Sequence, residues 1–265
     1  MTLKFQKMHA NGDDFVVVDA RGGINFVTSE IARQLGDRNR GVGFNQLAVI
    51  LDSEDCDGRL LFWNSDGTVL DTCGSATRGV ADMLMRETGR QSCSLWTNRG
   101  LLRCESLPNG LILVDMGKPL LNWRDVPLSR DVDTLVLPIS GEPTACSMGN
   151  PHCTFFVEDI SKVDVAAIGP EVENDPLFPH KTNVHFVQIL DRTHIRLRIW
   201  ERGGGIPLGS GSCSCGAVVG GIRRGLLDEI VEVSCDGGDV QVRWGVDKGV
   251  HLAGSVQKIY EGITI

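Results

Sequence analysis

No stretch of this 265-residue chain approaches the ~18 uninterrupted apolar residues of a membrane-spanning helix, which excludes such a span. Basic charge is also scarce: 26 Lys and Arg stand against 34 Asp and Glu, a net charge of −8. A nucleic-acid or anionic-membrane partner wants the opposite sign on at least one face, and only short pairs such as Arg223-Arg224 supply it. Neither partner is expected. The opening MTLKFQKMHANGDD lacks the apolar run of a secretory signal. No G-x-x-x-x-G-K-[ST] phosphate loop is present, and the glycines at 203–205 do not follow a dinucleotide-binding pattern. The nine cysteines are odd in number and lack a short-chain framework, which points to thiols in a reducing cytoplasm rather than disulfides. Cys213-x-Cys215 with Cys235 lacks the second close pair that zinc wants, so no metal is expected.

Glycine, by contrast, is abundant: 32 residues, about 12% against a usual ~7%. In a chain that is 42% apolar and 23% charged, so much glycine suggests tight turns or backbone that approaches a ligand. At ~150 residues per domain the length is nearer two domains than one.

An internal repeat agrees with that. MHANGDDFVVVD from Met8 resembles MGNPHCTFFVED from Met148, at an offset of 140. FNQLAVIL (44–51) corresponds to TNVHFVQIL (182–190). The segment 62–84 lies over 199–221 at an offset of 137, and 97–105 lies over 235–243 at 138. Four segments in one order at nearly constant offset argue for two copies of one plan.

Each copy reads mostly as strands: LLFWN, LLRCESL, GLILVDM, HIRLRIW and DVQVRW alternate with period two. One amphipathic helix per copy stands out. The first follows Cys73, with Ala76, Val80, Met83 and Leu84 as its stripe and Gly89 as its stop. The second follows Ser210, with Ala217, Val218 and Ile222, and closes at Gly225. The fold class expected is α+β, two pseudo-symmetric halves, each a mixed sheet rolled round a central helix. The halves are placed at 1–117 and 118–255, joined through the strand-poor stretch at 117–130. The last strand, within 256–265, is assigned to the first half, a return that periodicity does not itself establish.

Superposing the copies puts Cys73 on Ser210, each followed by glycine and each opening a helix. A thiol at a helix N-terminus feels the positive end of the dipole, which favours its thiolate. The amides of Gly74-Ser75 and Gly211-Ser212 suit a carboxylate. Two such helix starts facing one pocket suit removal of an α-proton from one side and its return from the other. The plainer reading of Cys73, a small buried hydrophobe, is weakened by its polar flank of Asn64, Asp66, Gly67, Gly74 and Arg78.

The segments KMHANGDDF, GVGFNQL, WNSDG-x5-CG, SMGNPHC, TNVHFVQI and ERGGG-x5-G resemble the diaminopimelate epimerase family, from Lys7 to about Gly262. The resemblance implies a cofactor-independent amino-acid epimerase or racemase, with paired α/β domains, the active site between them and a step in lysine biosynthesis. It implies two catalytic cysteines, one a thiolate base and one a thiol acid, without pyridoxal phosphate or metal; Cys73 matches the first. Gln46, Asn64, Asn150, Asn183, Glu201 and Arg202 match positions that hold the substrate's amino and carboxylate groups. His152 matches a position near the site, although a structural role fits it equally; His9 and His185 are read as structural. The partner implied is a small amino-acid substrate, and a second copy of the chain is a candidate.

Three departures cluster at the predicted centre. Ser210 stands where the second catalytic cysteine belongs: the run close to A-C-G-[ST]-G-A-C reads Gly209-Ser210-Gly211-Ser212-Cys213-Ser214-Cys215. A serine hydroxyl is a poor base unless activated. Cys213, nearly one helical turn further on, is expected to point away from position 210. Asp13 replaces an asparagine, which favours a cationic substrate group. Ser75 and Ala76 replace Asn-Gly in the first helix-opening loop, removing an amide donor and narrowing the loop's freedom. Three outcomes are open at this level: an epimerase with a Cys73–Ser210 pair, a single-base relative that eliminates or cyclises, and a non-epimerising amino-acid-binding protein.

Overall fold

The structure, a computed structural model, describes residues 2–245 and 248–264. The chain divides into two compact units, Met1–Asp115 with Ala253–Ile265, and Met116–Leu252.

The first unit opens with β1 (Lys4–Ala10) and β2 (Asp13–Asp19), an antiparallel hairpin. Asn11 and Gly12 turn it with φ of 55° and 77°, the positive-φ pair that a tight two-residue hairpin requires. Next come α1 (Ser29–Gly36), β3 (Gln46–Leu51), β4 (Gly58–Asn64), the short β5 (Val69–Leu70), α2 (Gly74–Thr88), β6 (Ser92–Thr97), β7 (Gly100–Ser106) and β8 (Ile112–Asp115). The strand order is β1-β2-β3-β4-β6-β7-β8, with β5 beside β4. The β2/β3 and β4/β6 pairs are parallel and each is connected through a helix, as parallel neighbours demand. Helix α2 packs against β1, β2, β3, β6, β7 and β8, so the sheet curls round it. Its stripe of Ala76, Val80 and Leu84 is buried, Met83 is only half-buried, and Gly89 ends it in the left-handed conformation, φ 69°. Phe15 lies flush on Gly79, where a Cβ would come within 2.4 Å of the ring.

The second unit repeats this plan. It runs β9 (Thr144–Ser147), β10 (Pro151–Val157), α3 (Val165–Glu173), β11 (Asn183–Asp191), β12 (His194–Trp200), α4 (Gly211–Arg223), β13 (Ile230–Cys235), β14 (Gly238–Trp244) and β15 (Val250–Gly254), the last two residues of β15 being assigned to the first unit. Its order β9-β10-β11-β12-β13-β14-β15 has the same parallel joints, β10/β11 and β12/β13, each again bridged by a helix. Helix α4 packs on β9, β10, β11, β12 and β14 and is buried almost all round, from Cys213 to Gly221. Three of its glycines, Gly216, Gly220 and Gly221, allow the neighbours in; a Cβ on Gly221 would meet Leu227 at 2.3 Å. The final strand, β16 (Gln257–Ile263), pairs antiparallel with β1, Lys4 opposite Ile263.

One helix per half was anticipated; each unit holds a second, short one. Thr28 caps α1 by accepting from the Ile31 amide at 3.3 Å, and Asp164 caps α3 through the Ala167 amide at 3.1 Å. No helix among the described residues is long and apolar enough to cross a membrane.

Candidate active site

Within the first unit, the sequence-selected residues gather at the start of α2. Cys73 is the N-cap: its thiol accepts from the Ala76 amide at 3.5 Å and reaches Gln46 Oε1 at 3.8 Å. Its carbonyl takes both the amide and the hydroxyl of Thr77, at 2.9 and 2.7 Å. The thiol is half-buried, among the first amides of a 15-residue helix, where an anion is stabilised. Gln46, the first residue of β3, lies opposite Asn64, the last of β4. Asn64 donates to the Thr68 hydroxyl at 2.9 Å, which fixes its amide at the strand's end. Gly74 is half-buried and Ser75 is buried in the first turn of α2.

Asp13 opens β2 and is buried. Burial pushes its carboxyl above the ordinary 3.8, against the pull of hydrogen bonds from Asn45 and Ser75 and the charge of Arg78. Two of the three departures from the family pattern, Asp13 and Ser75, are therefore in direct contact. Sequence reasoning treated them separately and missed Asn45, whose Nδ2 donates to Asp13 at 2.9 Å.

Within the second unit the same construction recurs. Ser210 caps α4 without a side-chain bond to the helix amides; its hydroxyl donates instead to Glu201 Oε1 at 3.1 Å. Gly211 is buried and Ser212 half-buried at the helix start. Asn183, the first residue of β11, is buried; it donates to the Pro151 carbonyl and accepts from the Arg202 amide, each at 3.0 Å. Arg202 is exposed and reaches the His180 carbonyl at 3.3 Å. Asn150 accepts from His152 Nε2 at 2.9 Å.

Glu173, in α3, was not selected from the sequence. Buried, it accepts from Trp200 Nε1 at 2.7 Å and from the Gly203 amide at 3.0 Å. It thereby pins the tight turn 201–205, whose Gly203 and Gly205 have φ of 72° and 82°. Nothing local to...GPEVEN... marks a residue whose partners lie some thirty positions away. Cys213 differs from expectation. Its thiol is fully buried but hydrogen-bonds to the Ser210 hydroxyl, because the third helical residue faces back over the cap. Burial, foremost, holds that thiol well above its usual pKa.

Laid side by side, the two units carry matched positions. Asp13 and Asn150, Gln46 and Asn183, Asn64 and Glu201, Cys73 and Ser210 are each separated by 137 residues. The pairs fall at or beside the same structural places: Asp13 begins β2 and Asn150 immediately precedes β10, Gln46 and Asn183 begin β3 and β11, Asn64 ends β4 and Glu201 immediately follows β12, and Cys73 and Ser210 cap α2 and α4. The repeat thus sets side chains of unlike chemistry, thiol against hydroxyl and amide against carboxylate, at like positions.

A model of the family described as diaminopimelate epimerase matches residues 5–121 and 144–259. The chain belongs to that family. It is 42% identical to a diaminopimelate epimerase of Acidiphilium cryptum, over 97% of this chain and 95% of that one. It is also 42% identical to a diaminopimelate epimerase of Gluconobacter oxydans, over the whole length of both. Among solved structures, a hydroxyproline epimerase from Agrobacterium vitis with bound trans-4-hydroxy-L-proline shares the fold, with TM-score 0.71 at 12% identity over 99% of this chain and 91% of that one.

Proposed function

We propose that this member of the family catalyses cofactor-independent epimerisation at the α-carbon of an amino acid, with Cys73 as the group that removes and returns the α-proton. The observation that carries the reading is the matched pair of helix caps, Cys73 and Ser210, in a chain whose family is defined by epimerases. In this reading a Cys73 thiolate takes the α-hydrogen as a proton. The electron pair passes into the substrate carboxylate, which the helix amides at Gly74-Ser75 and Gly211-Ser212 and the Arg202 guanidinium would neutralise. Glu201 and Asp13 supply acceptors for the ammonium, with Asn64, Asn150, Asn183 and Gln46 as neutral positioning groups. Diaminopimelate, the substrate named for the relatives, is the first to test; it would place the step in lysine biosynthesis. A cytoplasmic setting fits the nine cysteines, all of them thiols. No nucleic-acid or membrane partner is part of the reading, and a second copy of the chain stays a candidate partner.

Solvent deuterium should appear at the α-carbon of substrate in D2O and vanish in Cys73→Ala. Absence of exchange across diaminopimelate and other diamino and basic amino acids would reject the reading.

One observation favours a second outcome. The Ser210 proton is directed at Glu201 Oε1, and an alkoxide left beside that carboxylate would be repelled, so Ser210 is a weaker acid–base partner than a thiol. Cys73 acting alone would then exchange the α-proton with retention, or pass the carbanion to β-elimination or cyclisation. Ser210→Cys separates the two: a rise in two-way epimerisation from a small existing rate fits the first, and its appearance from none fits the second.

A further inference from the structure

The second unit contains a cluster that the proposed chemistry does not use. His152 on β10, His185 on β11 and Cys213 in α4 are each fully buried. One ring nitrogen from each histidine and the Cys213 sulfur all lie within 4.8 Å of one another. The rings stand 5.0 Å apart, with His152 Nδ1 and His185 Nε2 separated by 3.1 Å.

The outer ring nitrogens are held as well. His152 Nε2 donates to Asn150 Oδ1 at 2.9 Å, which in the neutral ring turns the Nδ1 lone pair toward His185. His185 Nδ1 is 3.0 Å from the Thr154 hydroxyl, the kind of anchor that orients a ligating imidazole. The 3.1 Å contact is then a hydrogen bond from His185 Nε2–H to His152 Nδ1, and a cation would take the place of that proton. Gly216 brings α4 against the rings: a Cβ there would meet His152 Cβ at 3.0 Å and His185 Cε1 at 3.1 Å. The helix backbone is thus close enough to aim Cys213 at both.

We infer that His152, His185 and Cys213 form a binding site for a borderline-soft divalent cation of the zinc class. Two imidazoles and a thiolate are the donor set such ions prefer over hard oxygen ligands. A tetrahedral ion at about 2.0–2.3 Å from its ligands sets them roughly 3.3–3.8 Å apart, so the cluster needs to adjust by only about an ångström. Binding would release the Cys213 proton to solvent, leaving the thiolate on the metal, and would shift the His185 proton from Nε2 to Nδ1, where the Thr154 hydroxyl accepts it. Ser210, hydrogen-bonded to Cys213, would supply the fourth ligand or leave that position to water. The ion would tie the first turn of α4 to β10 and β11 and so hold the Ser210 cap in place. This site differs from the Cys213, Cys215, Cys235 set that the sequence suggested and discounted; the histidines come from strands 28 or more residues away.

The test uses the intact chain, stripped of metal and titrated with Co2+ as the probe, with elemental analysis of the protein purified with zinc. Near one equivalent of zinc per chain and a thiolate-to-cobalt charge-transfer band in the near ultraviolet support the site. The band should persist in Cys73→Ala and disappear in both Cys213→Ala and His185→Gln. A wild-type chain that yields no charge-transfer band overturns the inference without reference to any variant. So does a band that survives in a folded Cys213→Ala or His185→Gln chain. Because the readout is metal binding, its failure leaves the epimerase reading untouched, and failure of α-proton exchange leaves this one untouched.

Discussion

Asp13 illustrates how burial changes what a charge can do. Read from the sequence, a carboxylate in that turn is an invitation to a cationic substrate group. In the fold it is buried against Asn45, Ser75 and Arg78, and desolvation raises its pKa above the ordinary 3.8. The folded chain therefore binds a proton that the unfolded chain releases as pH climbs past 3.8, so stability is lost through that window and is level above it. Asp13→Asn removes the titration. Urea unfolding across pH 3 to 8 should show the variant gaining on the wild type as pH rises and keeping its advantage at neutrality; parallel curves at all pH values would refute the account. At this scale Cys73 was legible, because a Cys-Gly step before a helical stripe announces a cap. The contact of Cys213 with Ser210 was not, because heptad-like reasoning applies within a helix and the cap lies outside it. Nor could the pairing of His152 with His185 be read, since it depends on two strands lying side by side.

At the scale of elements, α2 and α4 were visible as stripes of period 3.6, while α1 and α3, of eight and nine residues, are too short for periodicity to register. The close packing of helix on sheet makes a sharp prediction. At Gly79 an added methyl would lie 2.4 Å from the Phe15 ring, so Gly79→Ala should cost roughly 1–3 kcal/mol through overpacking despite alanine's better helix propensity. Chemical denaturation checks it; a stabilised variant would mean that α2 can lift from β2 freely. Glu173 governs a second junction, between α3 and the turn after β12. Glu173→Ala leaves Trp200 Nε1 and the Gly203 amide without their acceptor, a loss of about 1–3 kcal/mol for each donor that stays buried. On the epimerase reading it should also raise KM more than it lowers kcat, because the turn carries Glu201 and Arg202. Unchanged KM would separate the turn from substrate binding.

For the whole molecule, the strongest sequence signal was the repeat, and the matched order of strands, crossovers and helices in the two units is its structural expression. Constant offsets survive where both copies need a strand or helix of the same length, and they drift at Met8 and Met148, where turns differ. The neighbour of the last strand was beyond the reach of alternation, which identifies a strand but not its partner. Strand β16 covers β1 along its length, with Tyr260 edge-on to Phe5 at 6.1 Å and Gly262 flush against the same ring. Removing residues 256–265 should leave β1 as a bare edge, lowering the unfolding midpoint and promoting association that light scattering detects. A truncated chain with an unchanged state of association and equal stability would show that β16 is ornamental.

The position of β16 also orders events during synthesis. The ribosome delivers every residue of the second unit before it delivers the strand that seals the first. Met116–Leu252 can therefore complete its own sheet while the earlier-made half waits with one flank open. A nascent chain stalled after residue 252 would display that flank to chaperones and proteases, and only translation through β16 withdraws it.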